Sequence, residues 1–249
     1  MKGLLLPLLA LAIAPAPLAA QYSRPAPSGS QPSRVEQQAS QPGAPAGQPP
    51  ATASRAEVLR AAICLAGSRN AAAAEALVAT PPYSQPERDQ AGRTLRVAQS
   101  CVRAATPIVT SAMALRAAIA EALYEARFAQ PQAALTPPLA VRPLLQPEAS
   151  ILPEIVAQLT VYHNVAECAV TRQQDLVRAL LATEPGAEAE LPAVQALYPT
   201  FGACVPPGTR LRLDRNVIRG ILAEALYRWS VVQREGSASP WAAPAAAAN

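Results

Sequence analysis

Leu115, Ile119, Ala122, Leu123 and Ala126 follow one another at helical spacing and fall on one stripe of a helix. Arg116, Ala120 and Tyr124, at i, i+4 and i+8, run along the adjoining face. The apolar series returns as Ile218, Leu222, Ala225, Leu226 and Trp229, a shift of 218 − 115 = 103 residues. Within it the pentapeptide Ala120-Glu121-Ala122-Leu123-Tyr124 recurs verbatim as Ala223-Glu224-Ala225-Leu226-Tyr227. The same shift carries Cys101 onto Cys204, Arg116 onto Arg219, Arg69 onto Arg172, Leu77 onto Leu180 and Pro82 onto Pro185. Cys64 maps onto Cys168 at 168 − 64 = 104, so one position is lost near the first cysteine. A recurrence of this length reads as an internal duplication.

The pattern predicts about four helices per repeat and no strand. Ser54 to Glu57 has capping-box spacing, and the helix it opens should stop at Gly67. A second helix is expected over Ser68 to Ala79, closed by Pro81-Pro82. Its counterpart should open at Thr171-Arg172-Gln173-Gln174, again with capping-box spacing. The third opens at Ser84-Gln85-Pro86-Glu87 and runs to about Cys101. Ser111 and Asp214 occupy equivalent positions and both suit the cap of the fourth helix. The fold class expected is all-α: two tandem homologous helical repeats, each with one internal disulfide.

These elements set the domain boundaries. Residues 1–20 read as a secretory signal, from Lys2 through the apolar run Leu4 to Ala14 to the small residues before Gln21. Residues 21–53 are a Pro-, Ala- and Gln-rich linker with little to bury, expected to stay disordered. Repeat one covers 54–128, a Pro-rich connector 129–150, repeat two 151–235 and a flexible tail 236–249, in which Trp241 is the one large side chain. After signal cleavage no segment is long and apolar enough to span a bilayer.

Composition adds two constraints. Hydrophobic residues make up 51% of the 249, yet aromatics only 4%, so the helices must pack closely on small side chains. The formal net charge is +4 and Lys2 is the only lysine, which removes lysine nucleophiles and Schiff-base chemistry from the folded part.

The four cysteines are the strongest chemical signal. Two stand in each repeat at matching positions, behind an export signal, so the pairs Cys64–Cys101 and Cys168–Cys204 are expected. Closely spaced pairs for zinc, Cys-x-x-Cys for redox work and Cys-x-x-Cys-His for haem are all absent. No metal site or other cofactor is expected.

Candidate site residues are few. Arg116, Glu121 and Tyr124 recur as Arg219, Glu224 and Tyr227. They can serve architecture, satisfying loop carbonyls or one another across the repeat interface. They can also bring Glu121 and Glu224 together as paired carboxylates, the equipment of a cell-envelope hydrolase. That chemistry needs both carboxyls in an open cleft. Arg210, Arg212, Arg215 and Arg219 form a basic cluster able to hold an anion or polymer. Without interleaved aromatics or a recognition fold, nucleic acid is not expected. His163, the only histidine, is placed on a helix with Glu167 four residues on. Gly-rich phosphate loops, His-Glu-x-x-His and Gly-x-Ser-x-Gly are absent. The expectation is an exported, periplasmic or secreted helical protein, a non-catalytic interaction or structural module for a protein or envelope component.

Overall fold

In the computed structural model the described residues are 52–102, 107–128, 134–135, 141–145, 153–209, 211 and 214–243. The signal segment, almost all of the linker, most of the connector, Arg210 and Arg212 lie outside them.

Helices make up the regular structure of the described residues. They are α1 (Arg55–Ala66), α2 (Ala71–Ala79), α3 (Gln85–Val102), α4 (Ala112–Phe128), α5 (Pro153–Arg172), α6 (Gln174–Leu181), α7 (Glu190–Ala196), α8 (Tyr198–Cys204) and α9 (Arg215–Glu235), followed by one 3₁₀ turn. An isolated bridge, Val141 to Ala242, is the one β-type pairing among the described residues.

The ends of the helices follow local chemistry. Ser54 and Glu57 form the expected capping box on α1, and Gly67 closes the helix. The Ser111 hydroxyl accepts the Ala114 N–H at 3.1 Å, and the Asp214 carboxylate accepts the Asn216 N–H at 2.7 Å. Two expectations require correction. Thr171 caps nothing: α5 runs on to Arg172, and the Thr171 hydroxyl bonds back to the Glu167 and Cys168 carbonyls. The Thr hydroxyl finds those acceptors within its own helix, so the capping-box spacing is coincidental. The segment of repeat two that answers to α3 is divided into α7 and α8, which meet at Leu197 with Pro199 in the first turn of α8. Proline suits a helix start and disfavours a helix interior, so the division falls there.

Helices α4 and α9 pack against each other at the centre, with α1 laid on α4 and α5 on α9. Both recurring segments belong to one compact unit and share one core. At the central crossing Gly220 lies against Ala117, its equivalent 103 residues earlier (220 − 117 = 103). A Cβ on Gly220 would stand 2.7 Å from the Ala117 Cβ, so only glycine admits this approach.

The disulfides are Cys64–Cys101 and Cys168–Cys204, and free cysteines are absent among the described residues. They fasten α1 to α3 and α5 to α8. None of the described helices is long and apolar enough to cross a membrane. Trp241 does not swing free. Its ring is buried edge-on against Tyr227 at 5.4 Å, and its carbonyl accepts the Arg142 N–H at 2.8 Å. The start of the tail is therefore folded against the core, because a large aromatic ring finds an apolar seat beside α9.

Candidate functional site

The close crossing of α4 and α9 lets polar side chains on each reach past the other. Arg219 donates from Nη2 to Glu121 Oε1 at 2.5 Å and from Nε to Glu121 Oε2 at 2.9 Å. In the opposite direction, Arg116 donates from Nη2 and Nε to Glu224 Oε1 at 2.6 and 2.8 Å. All four side chains are buried.

Each arginine also closes the end of a short helix. Arg116 bonds the Leu77, Val78 and Thr80 carbonyls at the end of α2. Arg219 bonds the Leu180, Leu181 and Thr183 carbonyls at the end of α6. The last carbonyls of a helix lack intrahelical partners, and a guanidinium supplies five fixed donors. With those carbonyls and one glutamate taken, neither arginine has an N–H left for a bound anion. Tyr124 and Tyr227 have their hydroxyls bonded as well, accepting from Arg178 Nε at 2.9 Å and Arg127 Nη1 at 3.0 Å.

Beside this network lies a cleft of about 340 Å³. Its walls come from α1, α4, α5 and α9, with Val58, Leu59, Met113, Ala114, Val217 and Ile221 among the apolar positions. Arg116, Glu121, Arg219 and Glu224 all line it. It brings together the recurring Arg and Glu residues singled out in the sequence, but not the tyrosines 124 and 227. Of the basic cluster, Arg219 lines the cleft, and Arg210 and Arg212 lie outside the described residues. Arg219 is buried in its ion pair, and Arg215 is exposed at the start of α9.

Sequence reasoning missed Arg55, Tyr83 and Glu87, which line the cleft, and Glu190, which Arg55 and Arg219 hold at its other end. Glu87 and Glu190 stand 190 − 87 = 103 residues apart, and each bonds the amide four residues before it. Tyr83 N–H donates to Glu87 Oε2 at 2.6 Å, and Gly186 N–H to Glu190 Oε2 at 3.0 Å. Both amides belong to residues of positive φ, 86° at Gly186 and 62° at Tyr83. Glycine adopts that conformation freely, whereas tyrosine is strained by it. Arg55 reaches across from α1 to grip both oxygens of Glu190 at 2.7 and 2.5 Å. The offset of 103 was the signal that could have found Glu87 and Glu190.

The two ends of the cleft differ. At the Glu190 end, Arg55 and Arg219 face Glu121 and Glu190, two charges of each sign. Burial raises the Glu190 carboxyl, but the bonds from Arg55 and the Gly186 N–H outweigh it and hold it below the ordinary range. At the Glu87 end, Arg116 is paired with both Glu87 and Glu224, its Nη1 standing 3.5 Å from Glu87 Oε1, and Arg228, paired with Glu167, acts on Glu224 from farther off. Burial pushes the Glu87 carboxyl up, and Glu224 adds to that. Arg88, next in sequence, is exposed and bonded to Gln85 and the Tyr83 carbonyl.

His163 closes this end from α5. It is buried, and its Nε2 lies 3.5 Å from the Tyr83 hydroxyl. Burial is the main force on the imidazole and takes its pKa down to about 4, so the ring is neutral at pH 7. Burial likewise pushes the Tyr83 phenol up to about 12. Among the described residues no three His, Cys, Asp or Glu side chains converge to hold a metal ion.

Comparison of the chain with family models, with curated proteins and with solved structures finds no match.

Proposed function

We propose that the chain is an exported, non-catalytic binding module built by tandem duplication, and that its ligand site is the cleft between α1, α4, α5 and α9. The observation that carries this reading is the cleft itself: about 340 Å³, with apolar walls drawn from both halves of the chain. A concave, largely apolar site with a few convergent polar groups is the ordinary form of a small-ligand or side-chain pocket. Four further features support the reading: matched disulfides, a core built for close packing, the recurring sequence and the export signal. The ligand is a small apolar molecule or an apolar side chain of a protein or envelope partner.

The geometry favours binding over the hydrolase alternative. Acid–base work on a glycoside needs two carboxyls free to meet one substrate. Glu121 and Glu224 instead each rest on an arginine from the other half of the chain. Binding of an anion or polymer through residues 210–219 receives no support from Arg219, whose donors are all engaged.

The test uses a neutral probe, 4-phenylbutanol, titrated into the oxidised full chain and followed by amide chemical shifts. Binding should perturb α4 and α9 at the cleft. Ala114→Trp, at an exposed position on the cleft wall, should abolish it without unfolding the protein. Perturbations that ignore the cleft, or that survive Ala114→Trp, would reject the site.

A further inference from the structure

The recurring sequence lets the two ends of the cleft be compared atom by atom. At the Glu190 end all four carboxylate oxygens are bonded. Glu121 gives both to Arg219, and Glu190 gives both to Arg55. At the Glu87 end only half are. Arg116 places both of its contacts on Glu224 Oε1, and the Tyr83 N–H takes Glu87 Oε2. Among the described residues no donor forms a hydrogen bond to Glu224 Oε2 or to Glu87 Oε1. Both side chains are more than nine-tenths buried, at 5% and 3% exposure, and both line the cleft.

One substitution between the halves accounts for the difference at Glu87, while at Glu224 Arg116 sets both of its contacts on one oxygen. The offset of 104 that joins Cys64 to Cys168 carries Arg55 onto Leu159 (159 − 55 = 104). Leu159 lies one turn before His163 on the same face of α5. The second half therefore has leucine where the first has the arginine that reaches across to neutralise Glu190. His163 answers in the same way to Leu59 (163 − 59 = 104), so an apolar position in one half carries an imidazole in the other. Tyr83, in a strained backbone conformation where the other half has glycine, completes the difference. Two of these departures, Tyr83 and His163, meet at one end of the cleft, and Leu159 lies one turn from His163. Strained and symmetry-breaking positions gather where a site has been specialised.

We infer that the Glu87 end of the cleft receives the cationic head of an amine-bearing ligand, whose apolar body lies along the walls of α4 and α9. The inference rests on the cleft being the ligand site. An ammonium group carries three donors and one positive charge. Two of those donors meet Glu224 Oε2 and Glu87 Oε1, the third meets the Tyr83 hydroxyl, and the charge balances two carboxylates against Arg116, Arg228 being paired with Glu167. A carboxylate or phosphate head is repelled there. A divalent metal ion is disfavoured by the lack of a third suitable ligand side chain among the described residues.

Three probes of one skeleton test this: 4-phenylbutylamine, 4-phenylbutanol and 4-phenylbutyrate, titrated calorimetrically into the oxidised full chain at pH 7. The amine should bind about tenfold more tightly than the alcohol, and the carboxylate most weakly. Leu159→Arg, which copies Arg55 into the second half, should erase the preference for the amine and leave alcohol binding in place. Glu87→Gln keeps an acceptor for the Tyr83 N–H and should weaken the amine about tenfold with the alcohol unchanged. If the alcohol or the carboxylate binds as well as the amine, or if Glu87→Gln leaves the preference intact, the cationic assignment falls while the cleft stands. If none of the three binds, the cleft reading falls with it.

Discussion

Arg116 donates two hydrogen bonds to Glu224, a residue 108 positions later in the chain, and both side chains are buried. The mirror contact, Arg219 to Glu121, makes α4 and α9 mutually dependent. Removing one member of a buried ion pair costs about 3–5 kcal/mol, because the charge left behind is neither paired nor hydrated. Arg116→Met should therefore lower stability by that order in urea unfolding, since Glu87 and Glu224 lose their common cation. The double variant Arg116→Met with Glu224→Met should recover part of the loss. Additive losses would show that the pair does not couple.

His163 sets a pH dependence of definite sign. Its folded pKa, about 4, lies below the ordinary value near 6.5. The unfolded chain therefore binds the extra proton first, and stability falls as pH drops through the window from about 6.5 to 4. Between pH 7 and pH 5 this amounts to about 2 kcal/mol. Glu87 and Glu167, raised chiefly by burial, act in the opposite sense. His163→Leu, the residue found at the equivalent position 59, isolates the imidazole. Its unfolding free energy should fall by about 2 kcal/mol less than that of the parent over the same interval. Parallel pH profiles for the two proteins would refute the assignment.

Gly220→Ala tests the crossing of the central helices. Alanine is the better helix former by about 0.5–1 kcal/mol, and an exposed site would gain that amount. Here the new methyl meets the Ala117 Cβ at 2.7 Å, and overpacking costs typically about 1–3 kcal/mol. The net expectation is a loss of about 1–2 kcal/mol in thermal or urea unfolding. Pairing it with Ala117→Gly moves the methyl from one helix to the other and should restore most of the loss.

The disulfides close loops with sequence separations of 37 and 36 residues. In the chain-entropy model each contributes about 4 kcal/mol by restricting the unfolded chain. Cys64→Ala with Cys101→Ala should lower the urea midpoint by a corresponding amount, and the second pair should do likewise. A midpoint that does not move on full reduction would show that packing alone sustains the bundle.

Much of this architecture is legible in the sequence because it depends on local signals. The caps at Ser54, Ser111 and Asp214, the stop at Gly67 and the cysteine pairing all follow from short-range chemistry and the recurring spacing. Thr171 misled because a hydroxyl inside a helix can satisfy itself on the preceding turn. The Arg–Glu exchange was expected only as one of several arrangements. Spacing along one helix does not say which partner a side chain reaches on another. Glu87, Glu190 and Arg55 could not be singled out by residue type, since glutamate and arginine mostly lie on solvated faces. The offset of 103 pairs Glu87 with Glu190, but their contacts with Arg116 and Arg55 depend on α1, α3 and α7 folding against the central pair. Arg210 and Arg212 lie outside the described residues.

The crossed exchange of Arg116 and Arg219 has a consequence for how such a chain can come to exist. Each half supplies an arginine that its own glutamate does not use and a glutamate that its own arginine does not reach. One half alone would hold two orphan charges at the surface it is meant to bury. Two identical copies would satisfy all four groups at once, arginine of each to glutamate of the other, in the self-complementary manner of a two-fold dimer. On the duplication reading, carrying both copies on one polypeptide would make that assembly independent of concentration. It would also free the copies to diverge, so that a single leucine could replace an arginine on one side of the axis only, which no symmetric dimer allows.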